Sequence, residues 1–150
     1  MNSRPQFSVL SAQGSASIVL IRVAVGLIFS TQGILKFIDP NMGVVRFSKI
    51  GFSHPYFTAH FVGAFEVTCG LLVLVGLGTR LAAAPLLVVI SIAIATTKIP
   101  ELFRPNQGLW YMISDARTDF AMVCAVLFLI AAGGGAWSLD RILAGQANRH

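Results

Sequence analysis

Long apolar runs separated by short polar connections are the dominant pattern along the 150 residues of the chain. Four runs approach the length that a bilayer core demands of a helix, roughly 20 residues at about 1.5 Å rise each. They extend from about Ile18 to Phe37, Phe57 to Leu77, Leu81 to Thr97 and Phe120 to Trp137. Hydrocarbon offers backbone polar groups no partner, so a span has to be a helix or part of a closed barrel, and these runs lack the alternation of barrel strands. The fold class predicted is therefore all-α, a bundle of four transmembrane helices. Small residues, drawn from Gly, Ala, Ser and Thr, are scattered through all four, which lets backbones approach where no hydrophobic drive separates helix from lipid.

The connections order the bundle. Only GLGTR stands between the second and third runs, a link short enough to make those helices antiparallel neighbours. Pro85 falls near the predicted start of the third helix, where a missing N–H matters least. Four spans place both termini on the side of Arg80. The opposite side receives the two longer connections, Ile38 to Tyr56 and Lys98 to Asp119, which mix Arg46 and Lys49 with apolar residues and carry Phe103, Trp110 and Tyr111. That mixture is interfacial in character. Residues 1–17, MNSRPQFSVLSAQGSAS, form a polar N-terminal segment. Because the run after them is too long for a cleaved signal and is interrupted by Arg22, the first helix is expected to remain in the mature protein. One membrane domain, 18–143, is expected, followed by a fraying tail, 144–150. No internal repeat or linker divides it.

Composition narrows the function classes. With 55% apolar and 11% charged residues, the chain cannot supply the polar coat of a soluble domain. The net charge of +5 is spread over both ends, and no nucleic-acid module uses it; anionic headgroups of the lipid bilayer are the simpler partner. Cys69 and Cys124 lie within predicted helices, outside any C-x-x-C motif, and read as packing residues. His54, His60 and His150 give no pair across the bundle for haem, and no metal site is predicted. Gly133 to Gly135 read as a helix terminator rather than a phosphate loop. No covalently bound cofactor is predicted.

The candidate chemistry centres on one acid. Glu66 stands inside FVGAFEVTCGLLVLVGLG, and a charge at mid-membrane costs roughly 2.5 to 3.5 kcal/mol on insertion scales, so it should face a partner or a wet cavity. Arg22, Gly26, Phe29, Gly33 and Lys36 share one stripe of the first helix, with Gln32 on its border, and Gly63, Glu66 and Gly70 share one stripe of the second. The glycines are the expected helix-packing positions. Lys98, Asp115, Arg117 and Asp119 lie on or near the same rim, so an intramembrane polar cluster of Arg22, Gln32, Lys36, Glu66, Lys98, Asp115, Arg117 and Asp119 is expected. Glu66 is then either a clasp that fixes register through Lys36, Gln32 or Arg22, or a ligand or proton site. Asp115 and Asp119 also read as caps preceding the fourth helix, Lys98 as a cation at a helix end, and Lys36 as a snorkelling lysine.

The ordered fragments RVAVGLIFSTQGILKF, FVGAFEVTCGLLVLVGLGTRLAA, TTKIPEL, ARTDFAMV and WSLDRIL resemble the DoxX family of small bacterial membrane proteins, over about Ile18 to Leu143. Arg22, Gly26, Gly33, Lys36, Gly63, Glu66, Gly70, Gly76, Thr79, Arg80, Ser138, Leu139 and Asp140 match in order and spacing. The resemblance implies a four-span protein of the bacterial inner membrane with cytoplasmic termini. It also implies association with redox systems, since the family is named after subunits of thiosulfate:quinone oxidoreductase and some relatives act in thiol homeostasis with soluble enzymes. It carries over no catalytic set. The function read from the sequence is a small membrane subunit of a redox system, linked to quinone or thiol, in which quinone is the ligand compatible with the polar cluster. The alternatives are a non-catalytic anchor for a soluble oxidoreductase partner and a carrier of a small solute or proton. Whether the chain is itself an enzyme stays open, and a homo-oligomer is compatible with every reading.

Overall fold

The computed structural model describes the backbone of residues 8–103, 109–135 and 137–147. Residues 1–7 of the N-terminal segment, 104–108 of the second long connection, Ala136 and the last three residues of the tail lie outside the described residues. The described chain is an all-α membrane bundle, in which α1 (Ser8–Ile38), α3 (Pro55–Val75), α4 (Thr79–Ala93) and α5 (Leu109–Ala132) are the long helices. A short α2 (Val44–Ile50) crosses the connection between α1 and α3, and α6 (Leu139–Ala147) closes the chain. By length and composition, Ser17–Ile38, Pro55–Val75 and Thr79–Lys98 are able to cross a membrane.

Local chemistry sets the ends. Pro55 occupies the first turn of α3, where its fixed φ suits a helix start. Gly76 ends α3 at φ 77°, its N–H shared by the Leu72 and Val73 carbonyls while Leu77 N–H returns to Leu72 at 3.0 Å. This is the glycine closure that satisfies terminal carbonyls. Gly78, at φ 56°, turns the chain directly into α4. Gly133 ends α5 in the same left-handed region, at φ 76°.

Several boundaries differ from those the hydropathy predicts. The helix of α1 begins ten residues before Ile18, within the polar segment, and Ala144–Ala147 of the expected frayed tail continue α6. The fourth helix begins at Leu109 instead of Phe120, so Asp115 and Asp119 lie inside it and not ahead of its first turn; Trp137 lies beyond its end. Charges seen in sequence as a loop are tolerated in a helix when one face of it meets a cation. Pro85 is interior to α4, and its missing N–H leaves the Leu81 carbonyl without an intrahelical donor. Beyond Ala93 the helix widens into a π turn, Ile94–Lys98, and then tightens into a 3-10 turn, Ile99–Phe103. The Thr97 hydroxyl donates to the Ala93 carbonyl at 2.6 Å in that stretch.

The closest packing joins α1 to α3. A Cβ added at Gly26 would stand 2.8 Å from the Gly70 carbonyl oxygen, and one at Gly33 would stand 2.7 Å from that of Gly63. Both pairs are separated by the same interval in opposite directions, so the two helices run antiparallel in a single register. Backbones meet there because no side chain intervenes. Val25 and Phe29 of α1, Cys69 and Val73 of α3, Leu86 and Ile90 of α4, and Met122, Val126 and Leu129 of α5 form the core. Cys124, expected to pack inside, is exposed. Leu20, Phe57, Phe61, Leu81 and Phe120 are each more than half exposed, which leaves an apolar belt suited to lipid.

Candidate functional site

Lys36 lies in the last turn of α1 and Glu66 eleven residues into α3, about 16 Å along that helix. Their antiparallel approach brings Lys36 Nζ to 2.5 Å from Glu66 Oε2, with side chains 13% and 6% exposed. The lysine also donates to the Gln32 carbonyl at 3.5 Å, as a cation near a helix C-terminus is placed to do. Arg46 of α2 adds positive potential at the Glu66 carboxylate. Beside this pair, Phe37 meets His60 edge-on at 5.2 Å between ring centres, and His60 lies against Tyr56 at 4.2 Å. The Gln32 side chain is exposed and its backbone carbonyl, not its amide, joins the group.

A second pair forms between α4 and α5. The π turn delivers Lys98 to Asp115, with which it is hydrogen-bonded, and to Asp119 at 3.9 Å. The two carboxylates are four residues apart on α5 and therefore share a face. This layer is wetter, with Asp115 41% and Asp119 30% exposed. Arg117 points elsewhere, donating to Ser114 at 3.5 Å. The single rim cluster expected from the sequence is thus divided into two ion-paired layers, and no described hydrogen bond or ion pair connects them.

Arg22 belongs to neither. It is 4% exposed and donates to the carbonyls of Val73 at 3.1 Å, Leu74 at 3.0 Å, Gly134 at 2.7 Å and Trp137 at 2.9 Å. The stripe it shares with Lys36 is real, but fourteen residues separate them, about 21 Å of helix. In an antiparallel pair that distance carries Arg22 to the C-terminal carbonyls of α3, the negative end of its dipole. Asp140, outside the predicted cluster, completes this latch: its carboxylate accepts from Gly78 N–H at 2.9 and 3.0 Å, and its own N–H donates to the Gly76 carbonyl at 3.2 Å. The WSLD fragment was the available signal for it. The Ser138 hydroxyl accepts from Arg141 N–H at 3.4 Å at the start of α6, in the manner of an N-cap. Among the described residues no group of three His, Cys, Asp or Glu side chains is placed to hold a metal ion.

Comparison with known proteins agrees with this architecture. The family model described as DoxX matches residues 17–99. "Uncharacterized membrane protein Rv3486" of Mycobacterium tuberculosis is 44% identical over 144 residues, 93% of this chain and 88% of the relative. "Putative oxidoreductase CatD" of Bacillus subtilis is 33% identical over 95 residues, 63% of this chain and 69% of the relative. No solved structure gives a significant match.

Proposed function

The chain belongs to the DoxX family, and from that premise we propose that it is a membrane-embedded subunit of a redox system of the bacterial inner membrane, with its termini in the cytoplasm. The observation that carries the proposal is the buried Lys36–Glu66 pair, a donor and an acceptor held together at the α1–α3 seam. A quinone headgroup arriving from the bilayer offers carbonyl oxygens to such a lysine, and a carboxyl group beside it is placed to pass on one of the two protons that two-electron reduction of the quinone to quinol consumes, the other coming from water. The oxidoreductase name borne by the Bacillus subtilis relative supports the same direction. Electrons would come from a soluble partner. The test is saturable binding of a short-chain quinone by the purified protein: it should be present in the wild type and lost in Lys36→Ala and Glu66→Gln, and binding that is unchanged in both variants counts against the proposal.

A second reading has its own observation. The pair is closed, each group already satisfying the other, which suits a register clasp in a non-catalytic anchor. An anchor should retain a soluble oxidoreductase on purification through the segment containing α2, and Glu66→Gln should then lower protein yield and activity equally.

A further inference from the structure

The Lys36–Glu66 pair sets one ammonium against one carboxylate, so the net charge at the α1–α3 seam depends on what lies over it. The connection after α1 is built to hold a further cation there. Gly43, immediately before α2, is buried, and a Cβ on it would run into the Lys36 carbonyl oxygen. The absence of a side chain thus lets α2 seat directly on the last turn of α1. Gly43 N–H donates to the Asp39 carbonyl at 2.9 Å and Val45 N–H to the Pro40 carbonyl at 2.9 Å. On its other side α2 packs against α3, and the Phe47 ring lies 5.4 Å from that of Phe52.

This seat carries Arg46. It is half-buried, and its charge acts on the Glu66 carboxylate from α2. Among the described residues Arg46 enters no ion pair. Asp39, the acid closest to it along the chain, accepts from Asn41 N–H at 2.9 Å, and Lys49, three residues further on, is exposed and of the same sign as Arg46. Two cations and one carboxylate therefore leave the seam with one positive charge in excess. In a partly desolvated place such a charge is stabilised most by an anion. The carbonyl of a neutral quinone answers it only with a dipole.

We propose that Arg46 makes this site selective for a quinone headgroup that carries negative charge on a ring oxygen, as an ionised hydroxyquinone or a quinol that has lost one proton does. The inference rests on the reading of Lys36–Glu66 as a quinone site and adds its charge preference. Lys36 supplies a hydrogen-bond donor already balanced by Glu66, and Arg46 supplies the unbalanced charge.

The test is equilibrium dialysis of full-length protein in an uncharged detergent against two ligands of the same shape. One is a methyl-substituted hydroxynaphthoquinone, ionised at neutral pH, and the other is the neutral dimethylnaphthoquinone. The wild type should bind the ionised ligand about tenfold more tightly, the scale of one partly screened charge contact. Arg46→Lys keeps the charge and should keep the preference, whereas Arg46→Gln should bring the two affinities to within about twofold of each other. Binding of both ligands with equal affinity by the wild type, or an undiminished preference in Arg46→Gln, overturns the role of Arg46 and leaves the quinone reading of Lys36–Glu66 standing. Absence of saturable binding of either ligand overturns both.

Discussion

Replacing Arg22 with Met removes the guanidinium while keeping a long, apolar side chain in its place. Four carbonyl acceptors lose their donor at once, two at the end of α3 and two in the segment that leads into α6. A hydrogen bond from a charged donor contributes about 1.5 to 3 kcal/mol where its loss strands a buried partner. The full sum would be an overestimate, because the Val73 carbonyl keeps the Gly76 N–H at 3.1 Å and the loop can reach water. An effective loss equivalent to two such bonds gives about 3 to 6 kcal/mol, a large share of a typical total stability of roughly 5 to 15 kcal/mol. For a chain of this length each kcal/mol moves the melting temperature by about 2 to 4 °C, so a fall of at least about 6 °C is expected. The assay is thermal unfolding in a mild detergent, followed by loss of the monodisperse peak on size-exclusion chromatography. Arg22→Lys provides the intermediate case, since one ammonium cannot span acceptors on two sides as a planar fork does. A melting temperature for Arg22→Met within about 2 °C of the wild type would refute the latch.

Two further outcomes follow from the α1–α3 seam. Gly33→Leu places carbon against the Gly63 carbonyl at 2.7 Å and against Val67 at 2.8 Å, so it should abolish the folded peak on chromatography, whereas Thr31→Ala, on the exposed side of the same helix, should leave it unchanged. Lys36→Met should destabilise by about 3 to 5 kcal/mol by leaving the buried Glu66 without its donor, Glu66→Gln by less because the amide oxygen can still accept from Lys36 Nζ, and the double variant by less than the sum of the two; additive losses in an unfolding titration would show that the two groups do not interact.

Much of this architecture could be read from the chain because bilayer physics permits so few solutions. Span length, the GLGTR link and the small-residue stripes led directly to the antiparallel helices, and the glycine spacing pointed to the face on which α1 and α3 meet. The fourth helix was misplaced for a definite reason. Hydropathy treats Asp115, Arg117 and Asp119 as the end of an apolar run, yet Lys98 faces two of the three and the helix continues beneath them to Leu109. A cation on another helix is invisible to a one-dimensional average. Arg22 illustrates a different gap: periodicity gives the face a residue occupies but not its depth along a partner, and depth decided that it meets carbonyls instead of Glu66. The π turn that ends at Lys98 depends on tertiary neighbours and has no local signature, and the WSLD fragment marks Asp140 without showing that it engages Gly78.

The position of the Arg22 partners has a consequence for biosynthesis. Arg22 is synthesised 112 and 115 residues before its acceptors at Gly134 and Trp137. Until then the first span must leave that end among lipid headgroups and water, with only the α3 carbonyls to engage. Closure of this end therefore waits until Trp137 has been synthesised, and a message truncated before Gly134 would yield an inserted but unlocked product.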